Sequence, residues 1–491
     1  MFNKLFLKLI CLAIVGISLT SCLATKPYKK PNIDTKNLYP FHKVSMDSTS
    51  LAEMPWQKIF KDPQLRQLIN EALKNNLNLK SAIQQIRVAQ ARFYSAKMSL
   101  FPSLTADAQF TRNKTAKNSL NFGGANISIP TTNQYSLPLQ SSWELPIWGK
   151  LNSAKKASLA ALLQTQATRR AIQTTLIAQV ADTYYRILAY DKQLKVVRQT
   201  VKNRKQDVKT VKALKKGAIE NGVSVQQSIA NRYAAQVTIP QLKQQITVAE
   251  NALDMLLGRK PGPIKRTTFD QQQPIDSLAT GVPAQLLQNR PDVLAAEYSF
   301  RQAFELTNNA RAYFYPSLTL TAKGGFQSLK TENLFKPGSL FYNLVAGLTE
   351  PIFNKGQNRA RLKSAKARQK QALYGLRDTV LNAAREVTNA LSQFKHAKRQ
   401  VKLSQKQLTA LKKAVSYSRT LMRNGEVNYT QVLTAQQNLL SAQISHINDK
   451  LQELLAGVSL YQALGGGWDK SAGIGGKHTA RPDTTKKQKS E

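Results

Sequence analysis

Two long segments of this chain resemble each other, and this internal repeat restricts the possible folds more than any other feature. Residues 75–108 align with residues 289–322 without a gap, at a constant separation of 214 positions (75 against 289). In both copies a helical pattern runs into Pro-Ser-Leu-Thr and then alternates like a strand. A chance match between two helices does not explain why that motif lies where both patterns change period. Because a solenoid unit is typically only about 20–50 residues long, we predict a duplicated half-molecule with pseudo-two-fold symmetry.

The N-terminus has the pattern of an export signal. Lys4 and Lys8 precede a short apolar run that ends in Leu-Thr-Ser-Cys at residues 19–22, which is too short for a membrane-spanning helix. This ending resembles a bacterial lipobox, which implies cleavage before Cys22 and a covalent lipid on that residue. The residue after Cys22 is not aspartate, which implies transport to the outer membrane. An ordinary signal with an incidental cysteine is the alternative.

The formal net charge is +43 and the pI is about 10.2, so nucleic acid is the first partner to consider. The export signal argues against it, and so does the position of the charge on long helices. Two sets of cations spaced seven residues apart form one helical face: Lys195, Lys202, Lys209 and Lys216, with Arg198, Lys205 and Lys212. Such a face is usually solvated surface. It could also line a water-filled interior or meet an acidic partner.

Long helices are predicted for most of the chain. Residues 150–216 contain no proline or glycine, and 357–423 match them in length. The apolar residues of 194–211 follow a narrow heptad seam, which is typical of coiled coils and requires partner helices. Shorter helices are predicted at 64–99, 223–257, 284–314 and 427–463.

Four short segments alternate with a period of two and have about the length of a membrane-crossing strand, ~9–11 residues. The polar stretches between them predict two hairpins, 103–145 and 317–351, although a soluble sheet with one wet face shows the same alternation. The predicted apolar positions are Leu104, Ala106, Ala108, Phe110, Tyr135, Leu137, Leu139, Trp143, Leu318, Leu320, Ala322, Phe326, Tyr342, Leu344, Ala346 and Leu348.

The number of strands bears on the oligomeric state. Four strands cannot close a membrane barrel, because the smallest have about 8. An open sheet cannot lie in lipid, because its edges would leave backbone groups unpaired. If the strands cross a membrane, several chains must share one barrel, and the sequence therefore predicts a homo-oligomeric channel.

Several motifs, in the same order along the chain, resemble the bacterial outer membrane factor family, the TolC- and OprM-like outer membrane efflux lipoproteins. They cover most of the chain from about residue 50 to residue 468. The motifs are Trp56–Ala82, Leu256-Leu257-Gly258, Asn289-Arg290-Pro291-Asp292-Val293, Gly425–Gln436 and Tyr461–Trp468.

This resemblance implies an α+β membrane protein that forms a homotrimer. Three chains would build a 12-stranded β-barrel in the outer membrane, which continues into a long periplasmic α-helical barrel. The resemblance also implies a passive exit duct for tripartite efflux or type I secretion. The implied partners are a periplasmic adaptor protein, an inner-membrane pump of the resistance-nodulation-division (RND) type and outer membrane lipid. A periplasmic coiled-coil structural lipoprotein is the alternative, but it leaves the paired strands unexplained.

The resemblance also suggests functional residues. It places the periplasmic aperture at Glu426, Thr430 and Thr434. Many family members have an acidic residue where this chain has Thr434, so we expect an entrance that is less cation-selective. Thr434 could instead pack within the helix bundle. Gly217 and Gly425 are predicted in turns at the periplasmic tip, because glycine suits a helix C-terminus. The predicted helix–strand junctions are Pro102, Pro146, Pro316 and Pro351, since proline interrupts regular backbone pairing.

No enzymatic site emerges from the sequence. The four histidines lack metal-ligand spacing, and no phosphate loop follows a strand. We expect no cofactor or metal beyond the lipid on Cys22, and no nucleic-acid partner. The predicted organisation is a signal peptide (1–21), an N-terminal anchor and extended segment (22–60), repeat 1 (61–268), repeat 2 (269–467) and a disordered basic tail (468–491).

Overall fold

The computed structural model describes residues 24–33, 54–116, 131–274 and 290–468. The signal peptide, Cys22 and nearly all of the predicted tail lie outside these residues. The described chain is mostly helical and contains one antiparallel sheet, which confirms the predicted α+β class. Within the described residues, no helix combines the length and the apolar character needed to cross a membrane.

Eight α-helices and five strands are described. The helices are α1 (Trp56–Ile59), α2 (Pro63–Asn75), α3 (Leu77–Met98), α4 (Lys150–Lys216), α5 (Gly222–Leu257), α6 (Pro291–Ala312), α7 (Gln357–Arg423) and α8 (Tyr429–Ala463). The strands are β1 (Ser103–Ala106), β2 (Gln109–Asn113), β3 (Thr132–Glu144), β4 (Ser317–Ser328) and β5 (Leu340–Thr349).

The chain divides into two compact units. The sheet unit comprises the described residues of 1–33, 85–165 and 296–376, and the helical unit those of 34–84, 166–295 and 377–491. Each of the two 67-residue helices, α4 and α7, contributes residues to both units.

The helix predicted over 64–99 is divided at Asn76 into α2 and α3. The Asn76 side chain explains the break, because its Oδ1 accepts a hydrogen bond from the Leu79 amide (3.0 Å) and caps α3. Its Nδ2 donates to the Leu256 carbonyl at 2.9 Å. The prediction of one continuous helix was therefore wrong, since a buried asparagine satisfies backbone groups of two helices at this point.

The sheet has the order β1/β2–β3–β4–β5. The first predicted strand is interrupted at residues 107–108, although β1 and β2 pair with β3 in one continuous register. Pro138 of β3 explains the interruption. Its carbonyl accepts the Asp107 amide at 3.0 Å, but proline has no N–H to donate in return. Five strand segments therefore replace the predicted four, with one missing ladder bond as the cause.

The core of the helical unit lies where α4 meets α2, α5 and α8. Fully buried Tyr184 of α4 also has polar partners, since its hydroxyl donates to Asp62 Oδ2 at 2.9 Å. Burying each large apolar side chain contributes about 1.5–3 kcal/mol, so this core is a main source of the unit's stability. Its largest fully buried apolar members include Leu65, Ile69, Ile187, Leu188, Leu253, Leu257 and Tyr461.

Arg290 of the predicted Arg-Pro-Asp motif connects three helices of the helical unit. Its buried guanidinium contacts the carboxylates of Asp292 and Glu386, each at 2.6 Å. It also donates a hydrogen bond to the Ala463 carbonyl at 2.7 Å. Gly465 leaves room for this arginine, because an added Cβ would lie 3.1 Å from it. The two carboxylates are 40% and 48% exposed, so water screens these ion pairs. The contacts of the buried arginine nevertheless hold three helices together, so the motif has a structural role.

Candidate functional site

One face of the sheet is mostly apolar. Antiparallel partners point to the same side of a sheet, and the register pairs Phe110 with Tyr135, Leu137 with Phe326, and Phe326 with Leu340. Fifteen of the sixteen apolar positions that the alternation predicts lie on this face, and the other, Ala108, lies between β1 and β2. The opposite face carries Thr105, Gln140, Thr319, Lys323 and Asn343, among other polar residues.

Both edges of this sheet are open. Among the described strands, β1 and β2 pair only with β3, and β5 pairs only with β4. The apolar side chains of β5 are also solvent-accessible, with Tyr342 90% and Leu344 74% exposed. A single copy thus presents unpaired backbone groups and a large apolar surface, a combination that calls for further strands and an apolar environment.

The four predicted junction prolines lie between helices and strands. Pro102 and Pro316 directly precede β1 and β4, and Pro146 and Pro351 follow β3 and β5. The indole of Trp148 stabilises this region by donating to the Pro316 carbonyl at 2.6 Å and stacking on Tyr315. Sequence analysis did not single out Trp148. Its position two residues after a junction proline was the available signal.

The α4–α5 and α7–α8 turns share one backbone arrangement. The Ala218 amide donates to the Lys215 carbonyl (3.1 Å), and the Gly425 amide donates to the Met422 carbonyl (3.1 Å). In each case the following amide reaches the carbonyl five residues back, which completes a Schellman motif. Gly425 has the expected left-handed φ of 78°. In the other turn Ala218, with φ 56°, holds that position, so the conformational role predicted for Gly217 was wrong.

The two turns contact each other. The Glu220 carboxylate accepts a hydrogen bond from the backbone amide of Tyr429, the first residue of α8, at 3.1 Å. The Tyr429 hydroxyl lies 3.1 Å from Ser228 Oγ of α5, in a buried contact. A groove of about 1160 Å³ runs between the turns and is lined by residues of α4, α7 and α8. Residues far apart in sequence thus form one site.

The predicted aperture residues lie on and just before the first turns of α8. Glu426 is exposed and accepts a hydrogen bond from Asn424 Nδ2 at 3.0 Å. Thr430 and Thr434 are exposed on the same helical face, and the Thr434 hydroxyl donates to the Thr430 carbonyl at 3.0 Å. Both threonines line a cavity of about 490 Å³. Within a single chain, therefore, Thr434 does not pack in the helix bundle.

A partly buried charged cluster lies behind this surface. Asp207 of α4 is 3.7 Å from Arg419 of α7, and burial raises the pKa of its carboxyl despite the nearby arginines. Arg204, one turn earlier, is buried and donates to the Asn231 carbonyl. Burial lowers the pKa of this guanidinium. The cluster joins helices of both repeats with charges that have lost much of their hydration.

The cationic face that sequence analysis identified on α4 is exposed along its whole length, from Lys195 to Lys216. In the parts of the chain that the structure describes, no cluster of His, Cys, Asp and Glu could hold a metal ion.

The segment that follows Cys22, which we call the N-terminal strap (residues 24–31), is fixed on α6. The Lys26 amide donates to Asn308 Oδ1 (3.1 Å), and Asn308 Nδ2 donates back to the Lys26 carbonyl (2.8 Å). The Tyr28 ring packs edge-on against Phe304, with centroids 5.5 Å apart. Cys22 itself lies outside the described residues. Sequence analysis missed Asn308, because no sequence pattern indicates that a side chain will hydrogen-bond to backbone groups far away along the chain.

Comparisons with known proteins agree with this geometry. A family model described as outer membrane efflux protein matches residues 68–259 and 282–466. The probable outer membrane lipoprotein SilC of Salmonella typhimurium is 30% identical over 94% of this chain and 99% of its own length. The cation efflux system protein CusC of Escherichia coli O6:H1 is 28% identical over 93% of this chain and 98% of its own. The open-state structure of the Neisseria gonorrhoeae MtrE outer membrane channel is 26% identical, with a TM-score of 0.81 and coverage of 91% and 98%.

Proposed function

This chain belongs to the outer membrane efflux protein family, and we propose that it is the exit duct of a multi-component efflux system spanning the cell envelope. Membership makes the chain an outer membrane channel protein, as the resemblance implied, and favours this over a periplasmic coiled-coil structural lipoprotein. The single observation that carries the proposal is a sheet with one apolar face and two open edges. Its strands of 13, 12 and 10 residues are long enough to cross an outer membrane.

We propose that three copies close one barrel of twelve strands. In a ring of copies, β5 of one chain would lie beside β1 and β2 of the next, and the chain direction would alternate as an antiparallel barrel requires. Closure would pair the open edges and turn the apolar face towards lipid. The polar face, with Lys323 and Gln140, would then line water.

The partners follow from the proposed role. A passive duct needs an energy source in the inner membrane, and we propose a pump of the RND type joined through a periplasmic adaptor. The name of the relative CusC describes a cation efflux system, which supports efflux over type I secretion. We assign no enzymatic reaction and no cofactor to this chain.

We propose that Cys22 carries the lipid. The strap supports this, because Ala24, two residues later, is only 2% exposed, and Asn308 fixes Lys26 on α6. The protein would then be anchored both by its strands and by its acylated N-terminus. Mass spectrometry of the N-terminal peptide tests the modification, since an unmodified Cys22 in outer-membrane material would contradict it.

The aperture is proposed at Glu426, Thr430 and Thr434. Thr430 and Thr434 carry no charge, so Glu426 would supply the one carboxylate per chain at this entrance. The entrance would therefore concentrate cations less than one with a further acidic residue in place of Thr434. Planar-bilayer recording tests both the channel and this residue assignment. We expect steady passive conductance without strong cation selectivity.

A matched pair of variants sharpens that test. Thr434→Glu should make the conductance more cation-selective, because it adds one carboxylate per chain at the entrance. Thr409→Glu, at an exposed position on α7, should leave the selectivity unchanged. A strongly cation-selective wild-type channel would contradict the aperture assignment, and an absence of conductance would contradict the channel itself.

A further inference from the structure

The connection between β5 and α7 presents two bare apolar side chains followed by cations. Ile352 is 100% exposed and Phe353 is 85% exposed. Lys355, Arg359 and Lys363 follow, and all three are exposed. We call residues 352–363 the β5–α7 foot. Apolar side chains beside Lys and Arg are the composition that places a segment at a lipid–water interface.

The cations continue as a stripe along α7. Arg359, Lys363, Lys366 and Lys370 recur at intervals of four, three and four residues, so they share one helical face. Arg361 lies on the opposite face of α7, where its guanidinium stacks over the Tyr313 ring at 3.8 Å. The same face of α7 lines a groove together with α6. The stripe therefore points away from α6.

The chain itself does not neutralise this stripe. Residues 351–377 contain eight Lys or Arg and no Asp or Glu. In the described part of the sheet unit, Glu297 pairs with Lys30, and Glu144 pairs with Lys150. No described carboxylate forms an ion pair with the foot or the stripe. The stripe is therefore available to an anionic partner.

A neighbouring copy would not add a carboxylate here. In the proposed ring, β5 would lie beside β1 and β2 of the next copy, and the start of α7 would lie near the helix α3 that precedes them. Residues 85–98 of α3 carry Arg87, Arg92 and Lys97 and no carboxylate. The seam between copies would thus be positive on both sides, which favours an anion of another kind.

We propose that the β5–α7 foot binds anionic phospholipid headgroups in the periplasmic leaflet of the outer membrane; this rests on the proposed trimeric channel. Ile352 and Phe353 enter the acyl region next to the strand ends. Lys355, Arg359 and Lys363 contact the headgroup phosphates. All three cations are close enough to the membrane surface for this, because α7 rises only about 1.5 Å per residue. Even Lys363 therefore lies within about one Debye length of the helix start. The lipid then neutralises the seam between neighbouring copies.

The test is the lipid preference of the reconstituted protein. The full-length trimer is placed in phosphatidylcholine bilayers, and its association with spin-labelled phosphatidylglycerol is compared with that of spin-labelled phosphatidylcholine. Each cation that reaches a headgroup should raise the ratio of association with phosphatidylglycerol over phosphatidylcholine roughly fivefold at low salt. The preference should disappear in about 1 M salt, where the Debye length is about 3 Å.

Three variants decide the outcome. Lys355→Glu/Arg359→Glu/Lys363→Glu should abolish the preference, and the neutral Lys355→Gln/Arg359→Gln/Lys363→Gln should do so with less disturbance to folding. Lys395→Glu/Lys402→Glu/Lys406→Glu makes the same charge change farther along α7 and should keep the preference. Retention in the neutral variant, or equal loss in the control, overturns the inference.

Two further readouts separate this inference from the proposed function. Trimer mass and conductance, measured on the same samples, report on the channel regardless of lipid preference. A fluorophore on Phe353→Cys should be quenched by lipid-borne quenchers. An unquenched label would mean that a second copy covers the foot, which would also overturn the inference.

Discussion

The backbone amide of Tyr429 donates a hydrogen bond to the carboxylate of Glu220, 3.1 Å away, across 209 positions of sequence. This amide is the first of α8 and has no partner within its own helix. Asn428 is the N-cap residue of the same helix, and its side chain accepts from the Gln431 amide of the first turn at 3.3 Å. The first repeat thus supplies a negative group at the N-terminus of a second-repeat helix, where the helix dipole favours it.

Removing this contact should loosen the start of α8. Glu220→Ala leaves the Tyr429 amide without its acceptor, and we expect a local loss of about 1 kcal/mol. Hydrogen exchange of the amides at the start of α8 should then be faster by roughly fivefold. Glu426→Ala is the control, because the Glu426 carboxylate contacts only the exposed Asn424 side chain among the described hydrogen bonds, and the substitution keeps the backbone amide. If the amides at the start of α8 exchanged at the same rate in Glu220→Ala and Glu426→Ala, the two turns would not be coupled.

Substitutions to and from glycine should have opposite effects on the stability of the two Schellman turns. Ala218→Gly should stabilise the α4–α5 turn by about 0.5–1 kcal/mol, because Ala218 holds a left-handed φ that costs a non-glycine residue about 1–2 kcal/mol. Gly425→Ala should destabilise the other turn by about 1 kcal/mol, because alanine would have to adopt the left-handed φ. The cost is conformational and not steric, because no atom lies within 4 Å of the added methyl group.

Gly217→Ala provides the control for this pair. Its φ is not positive, and an added Cβ would meet the Leu214 carbonyl at an ordinary 3.7 Å. We expect a change below about 0.5 kcal/mol, measured as local hydrogen exchange at the turn. A large loss for Gly217→Ala, with none for Gly425→Ala, would contradict the assignment of the left-handed positions.

Gly325 of β4 should be intolerant of any side chain. A Cβ at this position would lie 2.2 Å from the Leu137 carbonyl, in the backbone of the neighbouring strand. Gly325→Ala should therefore disrupt the pairing of β3 and β4 and reduce the heat-resistant β signal of detergent-solubilised protein. Gly347→Ala is the matched control, because its Cβ would meet only the Thr319 hydroxyl at 3.5 Å. A normal β signal in Gly325→Ala would contradict the sheet register.

Asp62 should make the helical unit sensitive to acid. Burial alone raises the pKa of its carboxyl, but hydrogen bonds from Thr267, Gln272 and Tyr184 and from the Gln64 amide outweigh it and hold the pKa below 3.8. A lowered folded pKa contributes stability that is fully present above the unfolded value and is lost as pH falls through the folded value. We therefore expect destabilisation below about pH 4.

The substitution Asp62→Asn isolates this contribution. It retains a side-chain oxygen that can cap α2 but removes the charge, so stability should be lower at neutral pH and less dependent on pH in the acid range. Thermal unfolding followed from pH 7 to pH 3 gives both quantities. Asp182→Asn, which removes an exposed pair with Arg186, should leave the acid response unchanged. An unaltered acid response in Asp62→Asn would refute the assignment.

Sequence patterns predicted much of the fold because they reflect local periodicity. Alternation from Leu104 to Leu348 predicted which strand positions share the apolar face. Long stretches without proline, interrupted by only one glycine, Gly375, predicted both 67-residue helices. The breaks were missed for a physical reason. Asn76 ends one helix through contacts with Leu256, and Pro138 removes a hydrogen bond from a strand paired with it. Both effects depend on partners distant in sequence.

The candidate site was less predictable than the fold. The turns were expected from Gly217 and Gly425, yet the left-handed residue of the first turn is Ala218, which no glycine pattern indicates. Glu220 and Asn308 act on backbone groups about 200 or more positions away. Only the packed structure brings such groups together, since periodicity contains no information about long-range side-chain partners.

The most direct test of the account is the oligomeric mass of the protein extracted in mild detergent from isolated outer membranes. A trimer is predicted, because three copies of this open sheet supply the twelve strands that close a barrel and pair every edge. A monomer in that fraction, unchanged after crosslinking, would leave β1, β2 and β5 with unpaired edges in lipid and would contradict the channel.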